Sequence, residues 1–236
     1  MSKAAARPRL QVLQDRDAAS LAVAELIAHA LERRLAAEGG RACFVATGGS
    51  TPAPVYDRLC DRPLDWSRVD ITLSDERWVA PTSPDSNERM VREHLLQGRA
   101  ASARLVPLNA HAPDVETAAA LTEPQVSPLA PFDVVLLGMG EDGHFASLFP
   151  GSPALAGGLD LAGERFCIGV PAGEPAPPQP RISLTLKAIL ASRLIVLLIT
   201  GETKRAVLDQ ALGGADLPVR ALLLQDRTPL HIYWSP

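Results

Sequence analysis

The sequence predicts a three-layer α/β fold: a doubly wound, mostly parallel sheet with helices on both faces. Short apolar, β-branched runs of strand length alternate with stretches of helical period along the whole chain, the pattern of repeated strand–helix–strand units. Several of these runs are apolar throughout rather than alternating, as expected of strands covered on both sides. They also break directly into glycine-rich or polar turns, where open α/β sheets hold their ligands. No internal repeat and no dividing linker is visible, so residues 1–236 read as a single domain.

Residues 1 to about 14 read as a short edge strand or loose arm. Residues 17–38 follow as an amphipathic helix, with Leu21, Ile27, Leu31 and Leu35 at helical spacing and Gly39-Gly40 to end it. Residues 42–46 form a short buried strand running into Thr47-Gly48-Gly49-Ser50-Thr51-Pro52. Here Ser50 or Thr51 is expected to cap the helix around 55–60, with Pro52 at its first position. Strand 69–73 ends in Ser74-Asp75-Glu76-Arg77, and the loop from Pro81 leads to a helix at 88–96 with Asn87 as a possible N-cap. A short strand at 105–107, a helix at 114–121 and a proline-rich connection at 124–131 lead to the central strand, 132–137. Beyond it come strand 166–170 and an extended loop, 171–180, with five prolines. An alternating run at 181–186, a brief helix at 187–191 and strand 194–199 precede a helix ending near Leu212. Residues 217–224 and 231–234 are expected to complete the sheet as strands.

The composition is 47% hydrophobic and 21% charged, that of an ordinary globular chain, and the net charge of −4 contains no basic block. No clustered Lys/Arg face suggests nucleic-acid binding. No apolar run approaches the ~20 residues that span a bilayer, and the first ten residues lack the apolar core of a secretory signal. Cys43, Cys60 and Cys167 are scattered and odd in number, so they read as buried thiols in a reducing, cytoplasmic setting. The five histidines show no ligand spacing, so neither metal nor cofactor is expected. A monomer or small homo-oligomer is expected.

The central stretch, FDVVLLGMGEDGHFASLFPGSP at 132–153, carries the chemistry. Its Gly138-x-Gly140-x-x-Gly143 spacing satisfies a dinucleotide fingerprint. However, Pro150, Gly151 and Pro153 cut the candidate helix short, and the region around 160–164 is not strand-like. A structural turn with one satisfied histidine is the bland alternative. The pairing of Asp142 with His144 at a strand end instead suits general acid–base work near neutral pH. Similar strand ends carry Gly48 to Thr51, Asp75 to Arg77, and Gly201 to Lys204. In a parallel sheet they share one edge, so cations for an anionic group and an Asp/His pair for proton transfer can converge on one crevice. Taken singly, the D-E-R triplet reads better as a surface or structural ion pair, and Lys204 as a solvated helix lysine. The joint reading is a small phosphorylated substrate.

Five segments then resemble the glucosamine-6-phosphate isomerase/6-phosphogluconolactonase family. They are ATGGSTPAPVYDRL (46–59), SDERWVAPTSPDSNERMVREHLL (74–96), the central stretch, RISLTL (181–186) and TGETKRAVL (200–208), in the family's order. The resemblance implies a Rossmann-like fold similar to that of glucosamine-6-phosphate deaminase. It also separates the branches. The deaminase branch typically continues the Asp-Gly-His motif with an asparagine-glutamate-proline sequence, whereas Ala146-Ser147-Leu148-Phe149-Pro150 looks like the lactonase branch.

What the resemblance implies is hydrolysis of a phosphorylated sugar lactone, without cofactor, membrane or nucleic-acid partner. His144 is expected to be the general base and Asp142 to orient it. Arg77, Arg181 and Lys204 are expected to hold the phosphate with Ser50 and Thr51. Arg77, with backbone N–H groups from Gly48 and Gly49 or from the central turn at Gly143, is expected to stabilise the developing oxyanion. Asp75 is expected to contact sugar hydroxyls or position Arg77, and Asn87 to join the polar wall. Lys187 stands where lactonases often carry proline. Two other readings, a deaminase/isomerase and a sugar-phosphate sensor, lack the expected glutamate and an attached DNA-binding helix-turn-helix, respectively. A redox enzyme would need the fingerprint rejected above.

Overall fold

The order in which strands are added reverses once across the central sheet of the computed structural model, and that reversal positions the functional groups. The structure describes residues 8–37, 39–173 and 177–236. The first seven residues of the expected arm, Glu38 at the expected helix end, and residues 174–176 of the proline-rich loop lie outside them. In chain order the strands are β1 (Arg9–Val12), β2 (Ala42–Ala46), β3 (Val69–Leu73), β4 (Asp75–Arg77), β5 (Arg104–Leu105), β6 (Val134–Leu137), β7 (Cys167–Val170), β8 (Arg181–Leu184), β9 (Ile195–Thr200) and β10 (Leu230–Ser235). The helices are α1 (Arg16–Leu35), α2 (Ala53–Leu59), α3 (Asn87–His94), α4 (Val115–Val126), α5 (Leu155–Leu159), α6 (Leu186–Leu190), α7 (Glu202–Leu212) and α8 (Pro218–Leu224).

Seven strands pair in the order β1-β10-β9-β6-β2-β3-β5, and every pairing is parallel. From β2 the chain steps outward through β3 to β5, then returns to β6 on the other side of β2 and continues through β9 to β10. The β2/β6 junction, in register at Phe44↔Val134, is therefore the switch point, where a crevice opens at the carboxyl ends. Strands β2, β3 and β6 are buried along their whole length, which explains the uninterrupted apolar runs of β2 and β6. Helix α1 starts at Asp15, whose carboxylate accepts the Ala18 N–H at 2.8 Å. It buries Val23, Ile27 and Leu31 against the sheet.

A second sheet was not foreseen. β4, β8 and β7 form an antiparallel trio in the order β4-β8-β7. The Asp-Glu-Arg triplet is thus a strand in its own right, one residue beyond β3. Other expectations are corrected too. Residues 217–224 form a helix, not a strand: Pro218, Val219, Leu222 and Leu223 are buried at helical spacing, with Pro218 in the first turn where its missing N–H costs nothing. Leu21 is 43% exposed because it lies off the buried stripe of α1. Pro52 is the N-cap of α2, with no side-chain cap from Ser50 or Thr51. Ser86, not Asn87, caps α3, accepting the Arg89 N–H at 3.1 Å. Helix α4 continues through Pro124 to Val126. The three cysteines are free and buried, and burial pushes the Cys167 thiol up to about 12.

Candidate active site

The loops after β2, β6 and β9 and the start of the small sheet enclose a cleft of about 280 Å³ at the switch point. Its floor is the turn after β2. The Tyr56 hydroxyl clamps that turn, accepting the Thr47 N–H at 2.8 Å and donating to the Thr47 carbonyl at 2.7 Å. The backbone of Gly48 meets Asn87 so closely that a Cβ there would lie 1.9 Å from Asn87 Oδ1. Asn87 in turn donates from Nδ2 to the Asp75 carbonyl at 2.9 Å, fastening α3 and β4 to the turn.

His144 lines the cleft from the loop after β6. Its Nδ1 lies 2.5 Å from Asp142 Oδ1, and the same oxygen accepts the His144 backbone N–H at 3.2 Å. With Nδ1 donating to a carboxylate, the imidazole is held as the tautomer whose Nε2 carries the lone pair. Burial alone would raise the Asp142 carboxyl, but the bonds from His144 outweigh it and leave the group below its ordinary value. The ring also packs against Phe149, centroid to centroid 4.1 Å. Gly140 makes room for this arrangement, since a Cβ there would fall 2.2 Å from the imidazole.

The small sheet supplies the cations. Arg77 on β4 and Arg181 on β8 are directly paired across the antiparallel ladder, so both side chains leave the same face. Each has a buried Nε without a hydrogen-bond partner. Burial pulls the Arg181 guanidinium below its ordinary value, Asp75 opposes that effect, and Arg77's like charge adds to it. Lys204, one turn into α7, completes the group. Asp75 faces them but is nearly buried, at 5% exposure. Ser74 Oγ and Ser147 Oγ donate to its two oxygens at 2.9 and 2.6 Å, and Arg181 Nη1 stands 3.6 Å away. Both carboxylate oxygens are therefore engaged within the protein, which makes Asp75 an anchor for Arg181 and Ser147 rather than a free base.

Gly48, Gly49, Ser50, Thr51, Asp75, Arg77, Asn87, His144, Arg181 and Lys204 all line this cleft. Asp142 and Gly143 do not. Asp142 sits behind His144, and Gly143 turns away, its carbonyl accepting the Val219 N–H of α8 at 2.9 Å. Sequence reasoning missed Glu76, which is 1% exposed and accepts from the Arg77, Asn87 and Glu88 N–H groups and the Ser86 hydroxyl. Burial raises its carboxyl above the ordinary value despite those four donors. It also missed Tyr56 and Ser147, whose only sequence signal was proximity to a motif. A larger cavity, about 700 Å³, opens at the amino ends of the strands. There Arg41 and Arg104 are both bonded to Asp70, at 2.6 and 2.7 Å.

A cationic cleft with a histidine–aspartate pair at the switch point of a doubly wound sheet is the build of an α/β enzyme acting on a small anionic molecule. Comparison with known proteins agrees. The profile of the family described as glucosamine-6-phosphate isomerases/6-phosphogluconolactonase matches residues 14–234. The chain is 48% identical over 227 residues to a 6-phosphogluconolactonase from Caulobacter vibrioides, covering 96% of this chain and 97% of that one. It is 41% identical over 237 residues to a 6-phosphogluconolactonase from Pseudomonas putida, with 99% and 96% covered. The crystal structure of a 6-phosphogluconolactonase from Shewanella baltica superposes with a TM-score of 0.92 at 39% identity, over 99% of this chain and all of that one. The chain belongs to the glucosamine-6-phosphate isomerase/6-phosphogluconolactonase family.

Proposed function

We propose that the cleft hydrolyses 6-phospho-D-glucono-1,5-lactone to 6-phospho-D-gluconate, the lactone-opening step of the oxidative pentose phosphate pathway, with His144 as general base. The observation that carries the reading is one cleft lined by both kinds of group. The imidazole, its Nδ1 tied to Asp142, shares that cleft with Arg77, Arg181 and Lys204. A phosphate dianion gripped by the cations leaves the other end of a six-carbon sugar for the histidine. His144 Nε2 takes a proton from water as its oxygen attacks C1, and the carbonyl electrons move onto the oxygen. Collapse of the tetrahedral species breaks the bond from C1 to the ring oxygen, which takes the proton back from His144. Backbone N–H groups of the turn at Gly48 and Gly49 favour the transient oxyanion. Ser50 and Thr51, which cap no helix, are assigned to the phosphate, and Asp142 to the orientation of His144. Residues 146–150, Ala-Ser-Leu-Phe-Pro, offer no carboxylate for the ring opening a deaminase requires. The chain works as one domain, a reading supported by an apolar core that runs continuously from α1 to β10.

The test is 6-phosphogluconate formation from lactone generated in situ, measured above the spontaneous rate for wild type and His144→Ala. Enzymatic acceleration lost in the variant supports both activity and base. No acceleration by wild type sinks the reading, and ammonia release from glucosamine 6-phosphate is then the next assay.

A further inference from the structure

Phe149 lies behind the cleft rather than in its lining, yet it touches both of the cleft's working walls. Its ring packs 4.1 Å from the His144 imidazole at an interplanar angle of 37°. The Arg181 guanidinium carbon lies 5.1 Å from the centroid of the same ring. His144 comes from a loop of the large sheet and Arg181 from β8 of the small one, so this one side chain spans the two. The turn that delivers it is strongly held. Ala146 is in the left-handed region, at φ 48°, a conformation costly for a residue with a side chain. Ser147 is pinned beside it, its N–H donating to Ser183 Oγ at 3.1 Å and its hydroxyl to Asp75 at 2.6 Å. Phe149 also stands apart from the main core. With Val170 it forms a separate small cluster, backed by Ala154 and Ile168.

We propose that Phe149 is a positioning residue that fixes the distance between the base and the phosphate grip. It holds the flat face of His144 while Asp142 holds its edge, and it seats the Arg181 guanidinium by a cation–π contact. Substrate is then accepted only where its phosphate and carbonyl fit that one separation. The inference rests on the assignment of His144 and Arg181 proposed above.

The experiment compares Phe149→Leu with Phe149→Tyr, which keeps the aromatic face, by steady-state kinetics and by NMR of the His144 ring protons. The leucine variant is expected to lose ~10- to 100-fold in kcat, the scale of small misplacements, and to raise KM at the same time. The His144 ring protons, shifted upfield in wild type by the Phe149 ring current, should move downfield in the leucine variant and stay in the tyrosine one. A leucine variant with wild-type kcat and KM overturns the proposal. So does a fall in kcat that only tracks the folded fraction, with KM unchanged, because that is the signature of a structural role. Phe149→Met, which keeps more of the volume, replaces the leucine variant should that one not fold. A wild type without lactonase activity overturns the proposed function instead, and unchanged His144 shifts in the leucine variant would separately overturn the contact.

Discussion

Arg77 and Arg181 face each other as a directly paired couple across β4 and β8, two cations on one face of a three-stranded sheet. Like charges directly opposite destabilise an antiparallel pair. Asp75, 3.6 Å from Arg181, offsets part of the repulsion, and Glu76 adds a smaller opposing effect. A dianion lying between the guanidiniums would offset that cost.

Removing either arginine should therefore weaken substrate binding more than folding. Arg77→Ala and Arg181→Ala are each expected to raise KM ~10- to 100-fold, the equivalent of one charge-assisted contact of about 1.5–3 kcal/mol. In a thermal melt, 6-phosphogluconate should stabilise the wild type and fail to stabilise the double variant. An equal thermal shift in both would place the phosphate elsewhere.

His144→Ala is expected to lower kcat by ~10²–10⁴ with little change in KM. Asp142→Asn should cost less, because it keeps a hydrogen-bond partner at Nδ1 while removing the charge that selects the tautomer. A larger loss from Asp142→Asn than from His144→Ala would reverse the two roles.

Gly48 tests space rather than backbone freedom. An alanine Cβ would displace the Asn87 amide from its bond to the Asp75 carbonyl. Gly48→Ala should cut kcat/KM by about tenfold, in keeping with small displacements at a site. Because the obstacle is the Asn87 side chain, Gly48→Ala combined with Asn87→Ala should be no worse than Asn87→Ala alone. Additive losses in that cycle would locate the damage in the loop itself.

Acid stability offers a check far from the cleft. Burial raises the Asp70 carboxyl, but the bonds from Arg41 and Arg104 outweigh it and bring the group below its ordinary value. A carboxylate with a lowered folded value contributes stability above its unfolded value, near pH 4. It loses that contribution as pH falls toward the folded one. Asp70→Asn should cost about 1–3 kcal/mol at pH 7, toward the lower end because Arg41 and Arg104 are 46% and 59% exposed. Urea midpoints of variant and wild type should converge below about pH 4; a constant gap down to pH 2 would contradict the ion-pair account.

The strands most legible in the sequence were those buried on both faces, because unbroken apolar runs such as 134–137 and 195–199 admit few other readings. A similar signal misled at 217–224, where a mostly apolar stretch broken by Arg220 is a helix buried on one side. The small sheet was hidden because β4 is a polar triplet whose pairing depends on β8, more than a hundred residues later. Ionisable residues at strand ends could be brought to one edge on paper, so the cleft's composition was legible. Its supporting contacts were not: Glu76 beneath α3, Tyr56 beneath Thr47 and Phe149 beside His144 follow from packing, which no local pattern encodes.

The pairing of β1 with β10 sets an order of assembly. Arg9 on the first strand is in register with His231 on the last, so during synthesis β1 has no sheet to join until nearly all of the chain has emerged. Arg181 and Lys204 are also late to appear. A fragment ending before residue 181 carries Arg77 but lacks Arg181, Lys204 and β9, the strand that pairs with β6, and a ribosome-stalled chain of that length should be inert toward the lactone.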